Sequence, residues 1–339
     1  MGFLKKLFGR NNTQPITTTP DPKEEQQQTT DEENNEALRL EHEFQTLCND
    51  GLRSLNMGET DFATRCFQAA LERKDDDEVK GHLAETYIRS RQGEKAIPIL
   101  QELIATHPDE INLHMAMVHA ARNAEDWDTL NAAAKEVTRL RPDLPNGTFY
   151  QAEAKYSKGN FDQAETLLTT LLSEHQDAAQ AVYLRAKVRY DNNQLNEALE
   201  DILHFIRMAE PTEEANILNG DIHAKLGQKE EAIACYQQAL DTNPFHQEAV
   251  IKIGTLYQSM QEWEKALHVY SEAIELQSDF AQAYKERSAV RQQLQDEAGA
   301  SADLLKSLEL SPEEDEVKDY ATLENRMNAR YRNQNPFGF

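Results

Sequence analysis

Cysteine is scarce in this chain, and no long apolar run interrupts its polar character. The 339 residues include only three cysteines, Cys48, Cys66 and Cys235, which lie far apart in the sequence. An odd number of scattered cysteines argues against a disulfide framework or a zinc site and suits a reducing compartment. No segment reaches the roughly 18 apolar residues that a membrane helix needs, and the N-terminus lacks the apolar core of a secretory signal. We therefore expect a cytoplasmic protein.

Positive charge is also in short supply. Lys and Arg number 35 against 60 Asp and Glu, which gives a formal net charge of −25 at pH 7. Such an acidic surface repels phosphate backbones, so nucleic acid is not an expected partner.

Sequence motifs that carry catalysis are missing as well. The phosphate-binding GxxxxGK[ST], the zinc-binding HExxH and the nucleophile motif GxSxG do not occur. The acidic run at residues 75–78 is better explained as the start of a helix than as a cation site. We expect a non-enzymatic protein with no catalytic residues, no metal site and no cofactor.

The chain divides by composition into a few regions. Residues 11–35 contain one aliphatic residue, Ile16, and no aromatic residue, so we expect a disordered linker there. From residue 36 onward apolar residues recur at three- and four-residue spacings, which predicts helices. Residues 1–10 form a separate N-terminal segment, and residues 333–339 are predicted to be a flexible tail.

The helical region repeats itself every 34 residues. Alanine recurs at this interval at five positions: Ala164, Ala198, Ala232, Ala266 and Ala300. Glycine does the same at Gly220 and Gly254. A period of 34 residues is the signature of a solenoid built from helix–turn–helix repeats.

One repeat, residues 213–246, shows the physics that selects these residues. Ala232 and Tyr236 share one face of the second helix, because residues four apart align in an α-helix. We expect Gly220 on the first helix to lie opposite Ala232, so that the two helices approach closely. Tyr236 is then predicted to fill the groove toward the next repeat. Pro244 ends the second helix, since proline disfavours helical geometry in the residue before it.

These residues resemble the tetratricopeptide repeat. The pattern of that family, Gly-x-x-Tyr followed by Ala-x-x-x-Phe, is matched by Gly254, Tyr257, Ala266 and Tyr270. The resemblance covers eight repeats between residues 44 and 314, of which the first is one residue short.

The resemblance implies a fold and a general role. The expected fold is an all-α, right-handed superhelical solenoid over residues 36–314, followed by a capping helix at residues 315–332. Proteins of this kind generally hold a peptide or a partner helix in a concave groove lined by the first helix of each repeat. We therefore expect a protein–protein interaction scaffold that binds a protein or peptide partner. A membrane-peripheral assembly factor and a regulatory subunit of an enzyme complex stay open as alternatives.

The expected groove is centred on the third to fifth repeats. Its predicted lining residues lie on the first helices of these repeats: Met115, His119 and Arg122; Phe149, Glu153 and Tyr156; Tyr183, Lys187 and Tyr190. Aromatic residues and arginine are the usual anchors of interface hot spots.

The role of two of these tyrosines is open at the sequence level. Lys155 and Arg189 stand where the family has its packing tyrosine. Tyr156 and Tyr190, one residue further on, are therefore either core aromatics of a slightly rotated helix or exposed groove residues.

The N-terminal segment MGFLKKLFGR has an amphipathic character. Its apolar residues, Phe3, Leu4, Leu7 and Phe8, share a helical face, while Lys5, Lys6 and Arg10 face away. Such a segment suits weak contact with a membrane surface or docking to a protein, and it can also have no specific role.

Overall fold

The computed structural model describes residues 22–209 and 212–311, with side chains from residue 36 onward. These ranges contain sixteen α-helices and no strand, which confirms the predicted all-α fold. The helices are α1 (Pro22–Met57), α2 (Thr60–Arg73), α3 (Asp77–Arg89), α4 (Gly93–Thr106), α5 (Ile111–Asn123), α6 (Trp127–Leu140), α7 (Pro145–Ser157), α8 (Phe161–Glu174), α9 (Ala179–Asp191), α10 (Leu195–Met208), α11 (Glu213–Lys225), α12 (Lys229–Thr242), α13 (Gln247–Ser259), α14 (Trp263–Leu276), α15 (Ala281–Gln293) and α16 (Glu297–Leu310).

The chain divides into two compact units. The N-terminal unit, Met1–Asp126, holds α1 to α5, and the C-terminal unit, Trp127–Phe339, holds α6 to α16. Within each unit every helix packs against the next one along the chain. This nearest-neighbour packing is the organisation expected of stacked helix–turn–helix repeats.

The turns between paired helices share one backbone device. A residue with φ between 53° and 81° follows the first helix of each repeat. These residues are Gly58, Arg91, Glu125, Gly159, Asn193, Gly227, Gln261 and Gln295. The left-handed conformation closes the end of a helix and reverses the chain. Their spacing is 34 residues throughout except for the first interval of 33, in agreement with the shortened first repeat.

The joint between paired helices corrects one detail of the sequence prediction. A Cβ atom on Gly220 would overlap the ring of Tyr236, and Gly254 stands in the same relation to Tyr270. Tyr236 therefore packs on the glycine of its own repeat, and the prediction that it fills the groove toward the next repeat was wrong. The missing glycine side chain leaves a space that only a flat ring fills, and both tyrosine side chains are fully buried.

The first helix begins earlier than composition predicted. Residues 11–35 were expected to be a disordered linker, yet α1 already starts at Pro22. Glu and Gln, which are frequent in this segment, are strong helix formers, and proline is tolerated in the first turn. A lack of apolar residues predicts a lack of burial, which is a different property from a lack of helix.

The acidic run at residues 75–78 does begin a helix. The Oδ1 atom of Asp76 accepts hydrogen bonds from the backbone nitrogens of Glu78 (3.1 Å) and Val79 (3.2 Å), which caps α3. The N-terminal segment 1–10, the capping helix predicted at 315–332 and the tail at 333–339 all lie outside the described residues.

Candidate functional site

Four aromatic side chains follow the first helices of the fourth and fifth repeats. Phe149 and Tyr156 lie on α7, and Tyr183 and Tyr190 lie 34 residues further along on α9. Each is half-buried, and all four pack against the same buried core. We call these four residues the aromatic face. Because one side of each ring rests on the core, the rings are held in place while part of their surface is accessible.

Neighbouring aromatic rings fix the two residues near the start of these helices. The ring of Tyr183 lies 5.1 Å from that of Phe205 on α10, centroid to centroid. Phe149 makes an edge-to-face contact with Tyr150 at 5.4 Å. Burial raises the pKa of Tyr183, and the negative charge of Glu214 on α11 adds to the rise. Tyr183 is therefore a neutral hydroxyl at physiological pH.

Tyr156 connects its own repeat to the next one. Its hydroxyl donates a hydrogen bond of 2.6 Å to Oδ2 of Asp191, at the end of α9. The Nζ atom of Lys187 lies 5.4 Å from the centre of the Tyr156 ring. Burial and the hydrogen bond to Asp191 raise the pKa of Tyr156. Both charged groups on α9 are thus compensated by one tyrosine on α7.

Tyr190 repeats this arrangement with the opposite charge. Lys225, on α11, places its Nζ atom 3.6 Å from the centre of the Tyr190 ring. Tyr156 and Tyr190 are one period apart, and so are Asp191 and Lys225. Burial raises the pKa of Tyr190, and Asp221 contributes in the same direction. The same position in successive repeats therefore pairs a tyrosine first with an acid and then with a base.

The network continues into the seventh repeat through Asp221. The hydroxyl of Tyr236 donates a hydrogen bond of 2.6 Å to Oδ1 of Asp221, and Lys252 on α13 donates one of 2.7 Å to the same atom. Lys252 also lies 3.2 Å from Glu248. Charges on this side of α9, α11 and α13 are thus satisfied within the chain.

Arginine takes over the position of the family's packing tyrosine in the fifth repeat. Arg189 donates hydrogen bonds to Asp201 (2.8 Å) and Glu165 (2.9 Å), and Arg185 binds the same Asp201 through two bonds of 2.7 and 2.8 Å. Asp201 is only 4% exposed. Since Arg189 fills the interhelical site, Tyr190 is left on the partly accessible face of α9.

The same buried carboxylate arrangement recurs three repeats later. Arg287 binds Asp303 through bonds of 2.7 and 2.8 Å, and Arg291 lies 3.0 Å from the same carboxylate. Sequence reasoning noted the basic residue at position 189 but missed these carboxylates. The signal was a pair of arginines four residues apart, followed at a fixed distance by an aspartate, in both repeats.

The other predicted groove residues have different surroundings. On α5, Met115 and His119 are half-buried and Arg122 is exposed. Burial lowers the pKa of His119, and the charge of Arg122 lowers it further. These three residues belong to the N-terminal unit. Glu153, on α7, is half-buried and lies between Phe149 and Tyr156 in the sequence.

The described residues offer no sign of a metal centre or a membrane span. They contain no group of three His, Cys, Asp or Glu side chains arranged to hold a metal ion. None of the helices within the described ranges combines the length and apolar character needed to cross a bilayer.

The comparison with protein families agrees with the fold. Residues 144–256 match a family described as a tetratricopeptide repeat-like domain, a segment that includes α7, α9, α11 and the aromatic face. The chain is a tetratricopeptide-repeat protein. This family is generally a non-enzymatic, protein-interaction fold. No curated protein sequence matches the chain.

Solved structures of repeat proteins resemble the chain in fold. A tetratricopeptide repeat protein from Parabacteroides merdae ATCC 43184 is 18% identical, with a TM-score of 0.51 over 63% of this chain and 84% of its own. MamA is 25% identical, with a TM-score of 0.44 over 48% of this chain and 94% of its own. YrrB, described as a TPR protein with an unusual peptide-binding site, is 18% identical, with a TM-score of 0.45 over 54% and 95% of the two chains.

Proposed function

We propose that the C-terminal unit is a non-enzymatic scaffold that binds a peptide or helix of a partner protein along α7, α9 and α11. One observation carries this proposal: the aromatic face presents four half-buried rings on two neighbouring repeats. Rings held on one side by a core bind a partner without losing much side-chain entropy. Aromatic side chains also contribute disproportionately to binding energy at interfaces.

The paired charges define the chemistry of the partner. Asp191 and Lys187 are compensated by Tyr156, and Lys225 by the ring of Tyr190. A ligand gains little from charges that are already compensated, and it loses free energy if it separates them. The partner segment is therefore expected to use apolar side chains as its main anchors, with Phe149 and Tyr183 as the receiving rings.

A salt titration distinguishes this mode from binding by charge. Affinity that depends on opposite surface charges falls steeply as ionic strength rises, whereas burial of apolar surface is much less affected. We propose that affinity changes less than about threefold between 50 and 500 mM NaCl, as weak screening of buried contacts implies.

The test uses purified full-length protein and a peptide array to find ligands. The variant Phe149→Ala plus Tyr183→Ala is then compared with wild type by fluorescence polarisation on each ligand found. Loss of two anchor rings should weaken binding at least about tenfold, since one hot-spot residue contributes roughly 2 kcal/mol. Leu203→Ala is the matched control, because Leu203 is partly exposed on α10, the second helix of the same repeat. Unchanged affinity in the double variant would mean that the aromatic face is not the binding site.

Met115, His119 and Arg122 on α5 are proposed to take part in partner binding in the N-terminal unit. Their contribution is measured separately, by alanine variants of these residues on the same ligands. Two further proposals concern the cell. A membrane-peripheral role requires residues 1–10 to bring the chain to anionic vesicles, and a regulatory subunit requires copurification with an enzyme. In either case we propose a cytoplasmic location, which fractionation of native cells tests.

A further inference from the structure

Two large apolar side chains stand out on the surface of the C-terminal unit. Phe245 is 61% exposed and Leu276 is 59% exposed. Phe245 lies in the turn between α12 and α13, and Leu276 is the last residue of α14. Both line one shallow depression, together with Pro244, Gln247, Val250, Ala273, Gln277 and Phe280. We call this surface the Phe245–Leu276 patch.

The fold does not require phenylalanine at position 245. The equivalent turn position, at multiples of 34 residues, is aspartate in four other repeats: Asp109, Asp143, Asp177 and Asp279. A repeat of this kind therefore closes equally well with a small charged residue that water solvates. An exposed aromatic ring at such a place has no packing role and is a feature of interaction surfaces.

The turn that carries Phe245 is fixed by hydrogen bonds. The backbone nitrogen of Phe245 donates to Oδ1 of Asn243 at 3.0 Å, and Nδ2 of Asn243 donates to Glu213 at 2.9 Å. On the other side, the nitrogen of Ala249 donates to Nδ1 of His246 at 3.2 Å, which caps α13. The backbone under the ring is thus ordered before any partner arrives, which lowers the entropy cost of binding.

The sequence around the patch is acidic without compensation by Lys or Arg. Residues 230–251 and 266–284, which supply all of its lining, contain neither residue type. They contain seven acids: Glu230, Glu231, Asp241, Glu248, Glu272, Glu275 and Asp279. An apolar depression within an acidic surface fits a segment that combines large apolar side chains with positive charge.

We propose that the Phe245–Leu276 patch binds residues 1–10 of a second copy of this chain. The segment MGFLKKLFGR has two phenylalanines and two leucines for the depression, and three basic residues with no acid for its rim. This contact lies on turn and helix-end residues, apart from the aromatic face. It makes the protein self-associating, independently of whether the aromatic face binds a partner.

The first experiment measures binding of the segment itself. A fluorescein-labelled peptide of residues 1–10 is titrated with a variant of the chain that lacks those residues, and polarisation is followed. Phe245→Ser plus Leu276→Ser should weaken binding at least tenfold, while Leu203→Ser, on another exposed leucine, should leave it unchanged. A peptide of residues 325–334 (NRMNARYRNQ) has three arginines but fewer large apolar residues, and it should bind at least tenfold more weakly. Circular dichroism checks that the variants are folded.

The second experiment exchanges charges between full-length chains. Sedimentation equilibrium should show concentration-dependent self-association that is lost in Lys5→Glu plus Lys6→Glu. Glu275→Lys plus Asp279→Lys should restore much of the association in that background, which a general loss of folding could not do.

Several outcomes would overturn the proposal. Peptide binding that survives the Phe245→Ser and Leu276→Ser changes places the contact elsewhere. A full-length chain that stays monomeric at every concentration rules out a second copy as the occupant. Binding of the peptide to phosphatidylserine vesicles but not to the protein would assign residues 1–10 to a membrane surface instead.

Discussion

The hydroxyl of Tyr156 donates a hydrogen bond of 2.6 Å to the carboxylate of Asp191, which lies on the first helix of the following repeat. Lys187, on the same helix as Asp191, lies over the ring of that tyrosine. One side chain therefore joins two repeats and compensates both charges on the surface where a partner is proposed to bind. The aromatic face is rigid and charge-compensated for the same reason.

Removing either member of the Tyr156–Asp191 pair should weaken the coupling between the fourth and fifth repeats. Tyr156→Phe and Asp191→Asn are each expected to lower the free energy of unfolding by about 0.5–1 kcal/mol, the range for a partly solvated hydrogen bond. The double variant should cost little more than either single variant, because both remove the same interaction. Urea denaturation of the four proteins checks this. Tyr284→Phe is the control, since its hydroxyl makes no hydrogen bond to the described residues.

The glycine–tyrosine joint predicts opposite effects for the same substitution at two glycines. Gly220→Ala drives a Cβ atom into the ring of Tyr236 and should destabilise the C-terminal unit by about 1–3 kcal/mol. Gly81→Ala places a Cβ in open space on α3 and should stabilise the N-terminal unit by about 0.5–1 kcal/mol, through helix propensity. Urea denaturation gives both values. Equal effects of the two changes would contradict the assigned joint.

The buried carboxylate of the fifth repeat should matter far more than a surface ion pair. Asp201→Ala leaves two arginines without their acceptor in a buried site, and a loss of about 3–5 kcal/mol is expected. Glu309→Ala removes the partner of Lys306 on the surface and should cost less than about 1 kcal/mol. Thermal and urea denaturation measure both. A similar small effect at both positions would show that Asp201 is not a packing element.

Alkaline pH should unfold the seventh repeat through Tyr270. Burial raises the pKa of Tyr270 from 10.0 to about 12. Below pH 10 the phenol is neutral in both states, so its contribution to stability is complete. Between pH 10 and 12 only the unfolded chain loses the proton, so stability falls, by about 1.4 kcal/mol per pH unit for one group. Tyr270→Phe should reduce this slope. Urea denaturation at pH 9 and pH 11.5 compares the two proteins.

Much of the fold could be predicted because the repeat is written in small residues. Gly220, Ala232 and their equivalents every 34 residues are sterically required where helices touch, so their spacing reveals the stack. The ring that each glycine accepts was misassigned, since the sequence gives the position of Tyr236 but not the direction of its side chain. The start of α1 at Pro22 was missed because low hydrophobicity was equated with a lack of helix.

The aromatic face was only partly predictable for a related reason. The period placed Phe149, Tyr156, Tyr183 and Tyr190 in register, and this needed no knowledge of their contacts. The pairing of Tyr156 with Asp191 joins residues 35 positions apart on different repeats, so it depends on how the helices are stacked. The arginine at position 189 announced a change from the family pattern, but its buried acceptor Asp201 lies on another helix.

Site-specific photo-crosslinking tests the central claim most directly. A photoreactive benzophenone amino acid is placed at Tyr183 on the aromatic face, and in a second protein at Leu203 on α10. Both proteins are irradiated in native cells, and crosslinked products are identified by mass spectrometry. We predict that the Tyr183 protein crosslinks to a partner segment rich in apolar side chains and that the Leu203 protein does not. Identical crosslinks from both positions, or none from Tyr183 while Leu203 captures a partner, would contradict the account.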